Sequence, residues 1–192
     1  VTNATWDDFW LNEGFTVYFE NRICEAIYGA DYAEMLQLLG RQDLTGTLEE
    51  IAKSAHPEDS KLHLDLKDRE PDDGMTDVAY EKGFAFLRLI EEQVGRPKFD
   101  AFLRAYFDQF AFQSMTTQRF IAHLEEHLLK PNKVELNITA WVEGTGLPAN
   151  APTILSDRFV MVDVESKRWS DGTPALDLNV STWSTFEWMH FL

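Results

Sequence analysis

Residues 5–24 read TWDDFWLNEGFTVYFENRIC and form the first strongly periodic stretch of the sequence. A helix over this stretch, at about 100° per residue, gathers on one narrow face Trp6, Trp10, Glu13, Val17, Glu20 and Cys24. The face therefore holds two carboxylates among indole, valine and thiol groups. A carboxylate on an apolar face is costly unless a cation or hydrogen-bond donors satisfy it. We expect Glu13 to meet either a metal ion or an arginine from elsewhere in the fold.

The composition is that of an acidic chain with enough apolar residues for a core. Its 192 residues include 33 Asp and Glu against 17 Lys and Arg, for a formal net charge of −16. This charge argues against nucleic acid or an anionic membrane surface as a partner and mildly favours cationic ligands such as amines. No apolar run approaches the ~20 residues that cross a bilayer. The single cysteine, Cys24, excludes an intrachain disulfide.

Helical periodicity with caps and stops recurs along the chain and predicts an all-α fold. The predicted helices cover residues 5–28, 31–42, 47–55, 77–94, 97–110, 116–129, 137–144 and 154–169, and a last one begins at 184. The predicted N-caps are Thr5, Thr47, Asp77, Thr116, Asn137 and Ser184. Leu62, Leu64 and Leu66 alternate with polar residues, but this run is too short and isolated to predict a sheet.

The stretch GTGLPANAP at residues 144–152 has the proline and glycine content of a connection between domains. We therefore expect one domain over residues 1–149 and the beginning of another over residues 150–192. The chain starts without methionine and ends inside a predicted helix, so we expect it to be a fragment of a longer protein. Its apolar surfaces would then favour self-association. The sequence does not identify a compartment, and it favours the cytoplasm only slightly.

The run W-L-N-E-G at residues 10–14 resembles the zinc-ligand helix of the aminopeptidase N and leukotriene A4 hydrolase family of metallopeptidases, which are gluzincins. The resemblance implies that Glu13 is the third zinc ligand, and that Glu20 orients a histidine ligand. The two histidines and the catalytic base of this family come from an HExxH motif, which would lie just before Val1. Three protein ligands and an open fourth position are typical of a hydrolytic zinc, whose bound water is activated.

A second matching run, Tyr80-Glu81-Lys82-Gly83, strengthens this resemblance. In the family, the tyrosine before E-K-G stabilises the oxyanion of the tetrahedral intermediate, so the resemblance implies this role for Tyr80. A predicted position in the first turn of a helix agrees with it, because a donor there is strengthened by the helix dipole. Without the Glu13 motif, such a tyrosine would be interpreted as a packing residue.

The loop before this tyrosine gives a weaker match. Asp72 aligns with an aspartate that supports the polar end of the substrate pocket in leukotriene A4 hydrolase, although it could equally be an ordinary turn residue. Met75 replaces a tyrosine of that enzyme's lipid cavity, and we expect Gly74 to loosen the loop. These departures weaken the case for epoxide hydrolysis and suit a bacterial-type aminopeptidase.

A different zinc motif, H-x-x-E-H, occurs at residues 123–127. Histidines at i and i+4 can share a metal, but no later glutamate stands in a matching context. The helical pattern places His127 beside the apolar stripe and His123 on the polar side. We therefore interpret both as solvated histidines near a helix C-terminus, where the dipole favours cations.

Together these observations predict part of a zinc aminopeptidase that removes N-terminal residues from peptides. The resemblance implies an all-α chain, formed by the helical half of a thermolysin-like catalytic domain and the first helices of a C-terminal helical domain. One zinc ion and a peptide substrate with a free N-terminus are the implied cofactor and partner. Without HExxH, we expect the 192 residues alone to bind zinc weakly or not at all and to lack activity. The alternatives are a non-enzymatic helical interaction module and a bifunctional epoxide hydrolase.

Overall fold

The computed structural model describes residues 1–192 and confirms the all-α class. Its α-helices are α1 Trp10–Tyr28, α2 Ala30–Ile51, α3 Gly83–Val94, α4 Arg96–Gln109, α5 Thr117–Leu124, α6 Lys130–Asn132, α7 Ile138–Val142, α8 Asp157–Ser170 and α9 Thr185–Phe191. The strands β1 Thr2–Asn3 and β2 Ser114–Met115 form one short parallel pair, with Thr2 opposite Ser114. None of the helices combines the length and apolar character that a bilayer crossing requires.

Short 3₁₀ and π turns interrupt or connect the α-helices. The 3₁₀ turns are Trp6–Asp8, Pro57–Ser60, Pro71–Gly74 and Ala175–Asp177. The π turns are Val78–Lys82, which leads into α3, and Glu125–Leu129, which continues α5. Because a π turn changes the direction in which side chains leave a helix, the first of these affects where Tyr80 points.

Several helix ends are set by local chemistry, as the sequence predicts. The Thr116 hydroxyl accepts a hydrogen bond from the backbone N–H of Arg119 at 3.2 Å, and the Asn137 side chain accepts one from Ala140 at 3.1 Å. Gly29 and Gly95 follow α1 and α3 with φ values of 90° and 87°, which other residues rarely adopt.

The beginning of the first predicted helix is different. Thr5 does not cap a helix, because its hydroxyl donates to the Asp8 carboxylate at 2.8 Å and a 3₁₀ turn follows. The turn moves Trp6 off the α1 face, and its side chain is 46% exposed. Glu20 is also exposed. The buried stripe of α1 is therefore shorter than the helical pattern predicts.

The prediction of two helices over residues 31–42 and 47–55 is wrong, because α2 runs unbroken from Ala30 to Ile51. Thr47 caps nothing; its hydroxyl donates to the Asp77 carboxylate at 2.6 Å. The run that contains Leu62, Leu64 and Leu66 forms no strand, yet all three side chains are buried.

The chain divides into two compact units, each built from two segments. The first contains residues 1–20 and 40–153, and the second contains residues 21–39 and 154–192. In the first unit, the fully buried Trp10 contacts the rings of Phe86 and Phe120 and donates its indole N–H to the Thr117 hydroxyl at 3.0 Å. In the second, Met35, Phe159 and Val162 form the buried centre.

Candidate active site around Glu13 and Tyr80

Two glycines bring the segments that carry the two motifs into close backbone contact. A Cβ atom added to Gly14 would lie 2.9 Å from the Cα atom of Gly83, and one added to Gly83 would lie 2.8 Å from the Cα atom of Gly14. Side-chain atoms do not occupy such distances, so both positions require glycine. The contact joins W-L-N-E-G to Y-E-K-G and brings Glu13 into the neighbourhood of Tyr80.

Glu13 lies in the first turn of α1 and is half-buried. Its carboxylate forms no ion pair with an arginine, lysine or histidine of this chain, so the arginine alternative is not what the structure contains. Burial raises the pKa of Glu13, and no neighbouring positive charge opposes that shift. The side chain is therefore an acid whose negative charge nothing in the chain neutralises.

Tyr80 lies in the π turn Val78–Lys82 rather than in the first turn of an α-helix. Its ring packs edge-to-face against Phe9, with the ring centroids 5.9 Å apart. Burial, followed by the negative charges of Glu13 and Asp77, raises the pKa of Tyr80. The phenol therefore stays protonated at neutral pH and can act as a hydrogen-bond donor beside Glu13.

Glu81, the next residue, is surrounded by other acids. Burial, and then the charges of Asp77, Asp43 and Glu20, raise the pKa of Glu81 to about 7, while Arg41 acts in the opposite direction. Glu20 thus lies close enough to the second motif for its charge to raise the pKa of Glu81. The structure contains no histidine ligand for Glu20 to orient, so that role stays a prediction.

Asp72 is exposed in the 3₁₀ turn Pro71–Gly74, and Met75, which follows it, is 43% exposed. The expected loosening of this loop by Gly74 is wrong. Gly74 is buried, and a Cβ atom there would lie 2.7 Å from a methyl carbon of Leu64 and 2.9 Å from one of Leu66. The absence of a side chain at Gly74 lets the turn pack against Leu64 and Leu66. The role of Asp72 in the substrate pocket stays a prediction.

The interpretation of the H-x-x-E-H motif needs correction. His123 is 8% exposed and packs against Phe102 and Phe110, with ring centroids 5.5 and 5.0 Å away, whereas His127 is half exposed. His123 is therefore not a solvated residue on the polar side. Burial lowers the pKa of His123, and its ring belongs to an aromatic cluster.

Glu13 is the candidate metal ligand that the first motif supplies to this site. No group of three or more histidine, cysteine, aspartate or glutamate side chains in the chain could hold an ion. A half-buried carboxylate without a basic partner has the right chemistry for one ligand of a divalent cation. Glu13 therefore fits the part of a single zinc ligand but does not form a complete site.

Sequence reasoning missed the close approach of Gly14 and Gly83. It recognised both glycines as members of the two motifs but predicted no contact between them. The available signal was that a glycine ends both W-L-N-E-G and Y-E-K-G, which is typical of places where two backbones approach closely.

Comparison with known proteins agrees with the arrangement of the motifs. Residues 1–143 match the model of the peptidase family M1 domain. Leucine aminopeptidase 2 of Ajellomyces capsulatus is 37% identical over 153 residues, which are 77% of this chain and 24% of that protein. Leucine aminopeptidase 2 of Aspergillus terreus is 35% identical over 174 residues, which are 88% of this chain and 28% of that protein.

A solved structure of yeast leukotriene A4 hydrolase in complex with bestatin superposes with a TM-score of 0.83 at 29% identity, over 99% of this chain and 32% of that one. The chain thus spans about a quarter to a third of the length of the proteins it matches. The resemblance inferred from the two motifs is confirmed, and this chain belongs to peptidase family M1.

Proposed function

We propose that this chain is the part of a zinc aminopeptidase that carries one zinc ligand and the oxyanion-stabilising phenol. The observation that supports it most directly is the Gly14–Gly83 contact, which gathers the unpaired Glu13 carboxylate and the protonated Tyr80 phenol. The substrate would be a peptide with a free N-terminus, in keeping with the names of the leucine aminopeptidase relatives. The net charge of −16 would attract the ammonium group of such a substrate.

Glu13 would hold the metal together with two histidines from outside these residues. Zinc, when bound, supplies a Lewis acid that polarises the scissile carbonyl and activates a water. Glu13 suits this role because its carboxylate is already half-buried and has no competing cation in the chain. Glu20, seven residues after Glu13 on α1, would orient one of those two histidines.

Tyr80 would donate its phenolic proton in a hydrogen bond to the carbonyl oxygen as negative charge develops there. Its raised pKa keeps this donor protonated at neutral pH. One donor of this kind is worth about 10²–10³ in kcat. Asp72 would contribute to the polar end of the pocket. We expect the 192 residues alone to bind zinc weakly or not at all and to lack peptidase activity.

The test is zinc content and leucine-anilide hydrolysis of the whole protein that contains this chain. Glu13→Gln should lose both zinc and activity. Tyr80→Phe should keep its zinc and lose about 100-fold in kcat. The matched controls are the exposed residues Glu49 and Tyr28, whose changes Glu49→Gln and Tyr28→Phe should leave both quantities unchanged. A fully active Tyr80→Phe variant, or a Glu13→Gln variant with its zinc intact, would refute the proposal.

A further inference from the structure

Lys82 is the fully buried lysine of the second motif, with 0% of its surface exposed. Its ammonium group donates to the carbonyl oxygens of Ser60 at 2.7 Å and Gly144 at 2.8 Å. No carboxylate forms an ion pair with it. Burial lowers the pKa of Lys82 to about 8, and no neighbouring charge contributes.

Burying an ammonium group without a counter-ion destabilises the folded state, because only two neutral carbonyls compensate for its desolvation. An apolar side chain of similar volume, such as methionine, would fill the same space without that penalty. The cost therefore points to a role that packing alone would not supply.

The two carbonyls belong to segments that are distant in sequence. Ser60 ends the 3₁₀ turn Pro57–Ser60, and Gly144 follows α7. These segments are also joined to each other, because the Ser60 hydroxyl accepts a hydrogen bond from the backbone N–H of Gly146 at 3.1 Å. Lys82 thus anchors the π turn Val78–Lys82 to a hydrogen-bonded pair of loops.

Tyr80 lies in the same turn. Its hydroxyl makes no hydrogen bond within the chain, and its aromatic partner is Phe9. Residues two apart in a helical turn project to opposite sides, so the lysine can be anchored inward while the tyrosine faces Glu13. The direction of the phenol therefore depends on how firmly the turn itself is fixed.

We propose that Lys82 is a positioning residue for Tyr80: its ammonium fixes the π turn through Ser60 and Gly144 and so aims the phenol at the Glu13 site. This inference rests on the proposed function for the importance of the phenol. The anchoring itself is a property of this chain and can be measured without zinc or substrate.

The experiment is NMR spectroscopy of the whole protein that contains this chain, with selectively labelled tyrosine and phenylalanine rings. Tyr80→Phe identifies the Tyr80 signals, and the edge-to-face contact predicts a Tyr80–Phe9 cross-peak and ring-current-shifted Tyr80 protons in the wild type. Lys82→Met should remove the cross-peak and move the Tyr80 protons to the values of an unconstrained tyrosine. Lys82→Gln, which keeps a shorter neutral donor, should weaken the cross-peak and shift the Tyr80 protons part of the way. It replaces Lys82→Met in the test if the methionine variant does not fold.

Leu87→Ala is the matched control, because it also opens the core beneath α3 but leaves the ammonium and its carbonyls in place. It should keep the Tyr80–Phe9 cross-peak. Tyr80 signals identical to those of the wild type in a folded Lys82→Met or Lys82→Gln variant would overturn the inference. A Leu87→Ala variant that loses the cross-peak as completely as the Lys82 variants would also overturn it. In the whole protein, Lys82→Met should lower kcat with zinc content unchanged. A fully active Tyr80→Phe would refute the proposed function while leaving the NMR result to decide the anchoring.

Discussion

Replacing Gly14 with alanine should destabilise the protein, even though alanine is the better helix former. The reason is the backbone contact between α1 and the start of α3. Gly46, in the middle of α2, provides the matched control, because a Cβ atom added there meets no atom within 4 Å. The same chemical change is thus made once at a tight contact and once in open space.

The magnitude follows from the distances. A Cβ at Gly14 would lie 2.9 Å from the Cα of Gly83 and 3.0 Å from its carbonyl carbon. Carbon atoms in contact lie about 3.6 Å apart, so the two backbones must separate by about 0.7 Å. Overpacking costs about 1–3 kcal/mol, and we take the upper end because both groups are backbone. Against about 1 kcal/mol gained in helix propensity, the net loss is about 2 kcal/mol.

Urea unfolding followed by circular dichroism measures both free energies. Gly46→Ala should gain up to about 1 kcal/mol, so the two variants should differ by about 3 kcal/mol. A shared gain in stability would show that the two segments do not meet at Gly14. The explanation of how Glu13 and Tyr80 come together would then fail as well.

Three further results are expected from changes in charge. Because the pKa of Lys82 is about 8 in the folded state and 10.5 ordinarily, the unfolded chain binds more protons between these values. From pH 8 to 10.5, the free energy of unfolding of the wild type should therefore rise by about 3 kcal/mol relative to that of Lys82→Met. A difference between the two free energies that does not change with pH would contradict this. Burial raises the pKa of Glu13, so the stability of the wild type relative to Glu13→Gln should fall as the pH rises above 4.5. Urea midpoints of the two proteins that change in parallel with pH would argue against this burial. Burial lowers the pKa of His123, so acid below pH 6.5 should destabilise the wild type, as a thermal melting series would record. His123→Phe should remove that acid sensitivity and His127→Phe should not.

The features that the sequence predicted correctly are those decided by nearby residues. The caps at Thr116 and Asn137 are local hydrogen bonds, and the glycine after α1 ends it through its own backbone angle. The two motifs identified the family because each is a short run with a fixed order of residue types. Their spatial meeting was implied only through the resemblance.

The features that the sequence did not predict depend on tertiary contacts. The break expected between residues 42 and 47 is absent, and the glycines of α2 do not end it. Gly40 instead leaves room for the Glu81 carboxylate, which touches the place where a Cβ would be. His123 is buried because Phe102 of α4 and Phe110, which follows α4, are its neighbours, and no helical pattern within α5 contains that information.

The division of the chain into interleaved segments has a practical consequence for anyone who wishes to shorten it. Residues 21–39 lie between the two segments of the site-bearing unit, yet they contribute Met35 to the core that contains Phe159 and Val162. A truncation after residue 153 would remove Phe159 and Val162 from beside this methionine, which stays in the middle of the retained polypeptide. Trimming within residues 144–152 would therefore expose hydrophobic surface inside the retained piece, and recombinant work should keep residues 154–192 attached.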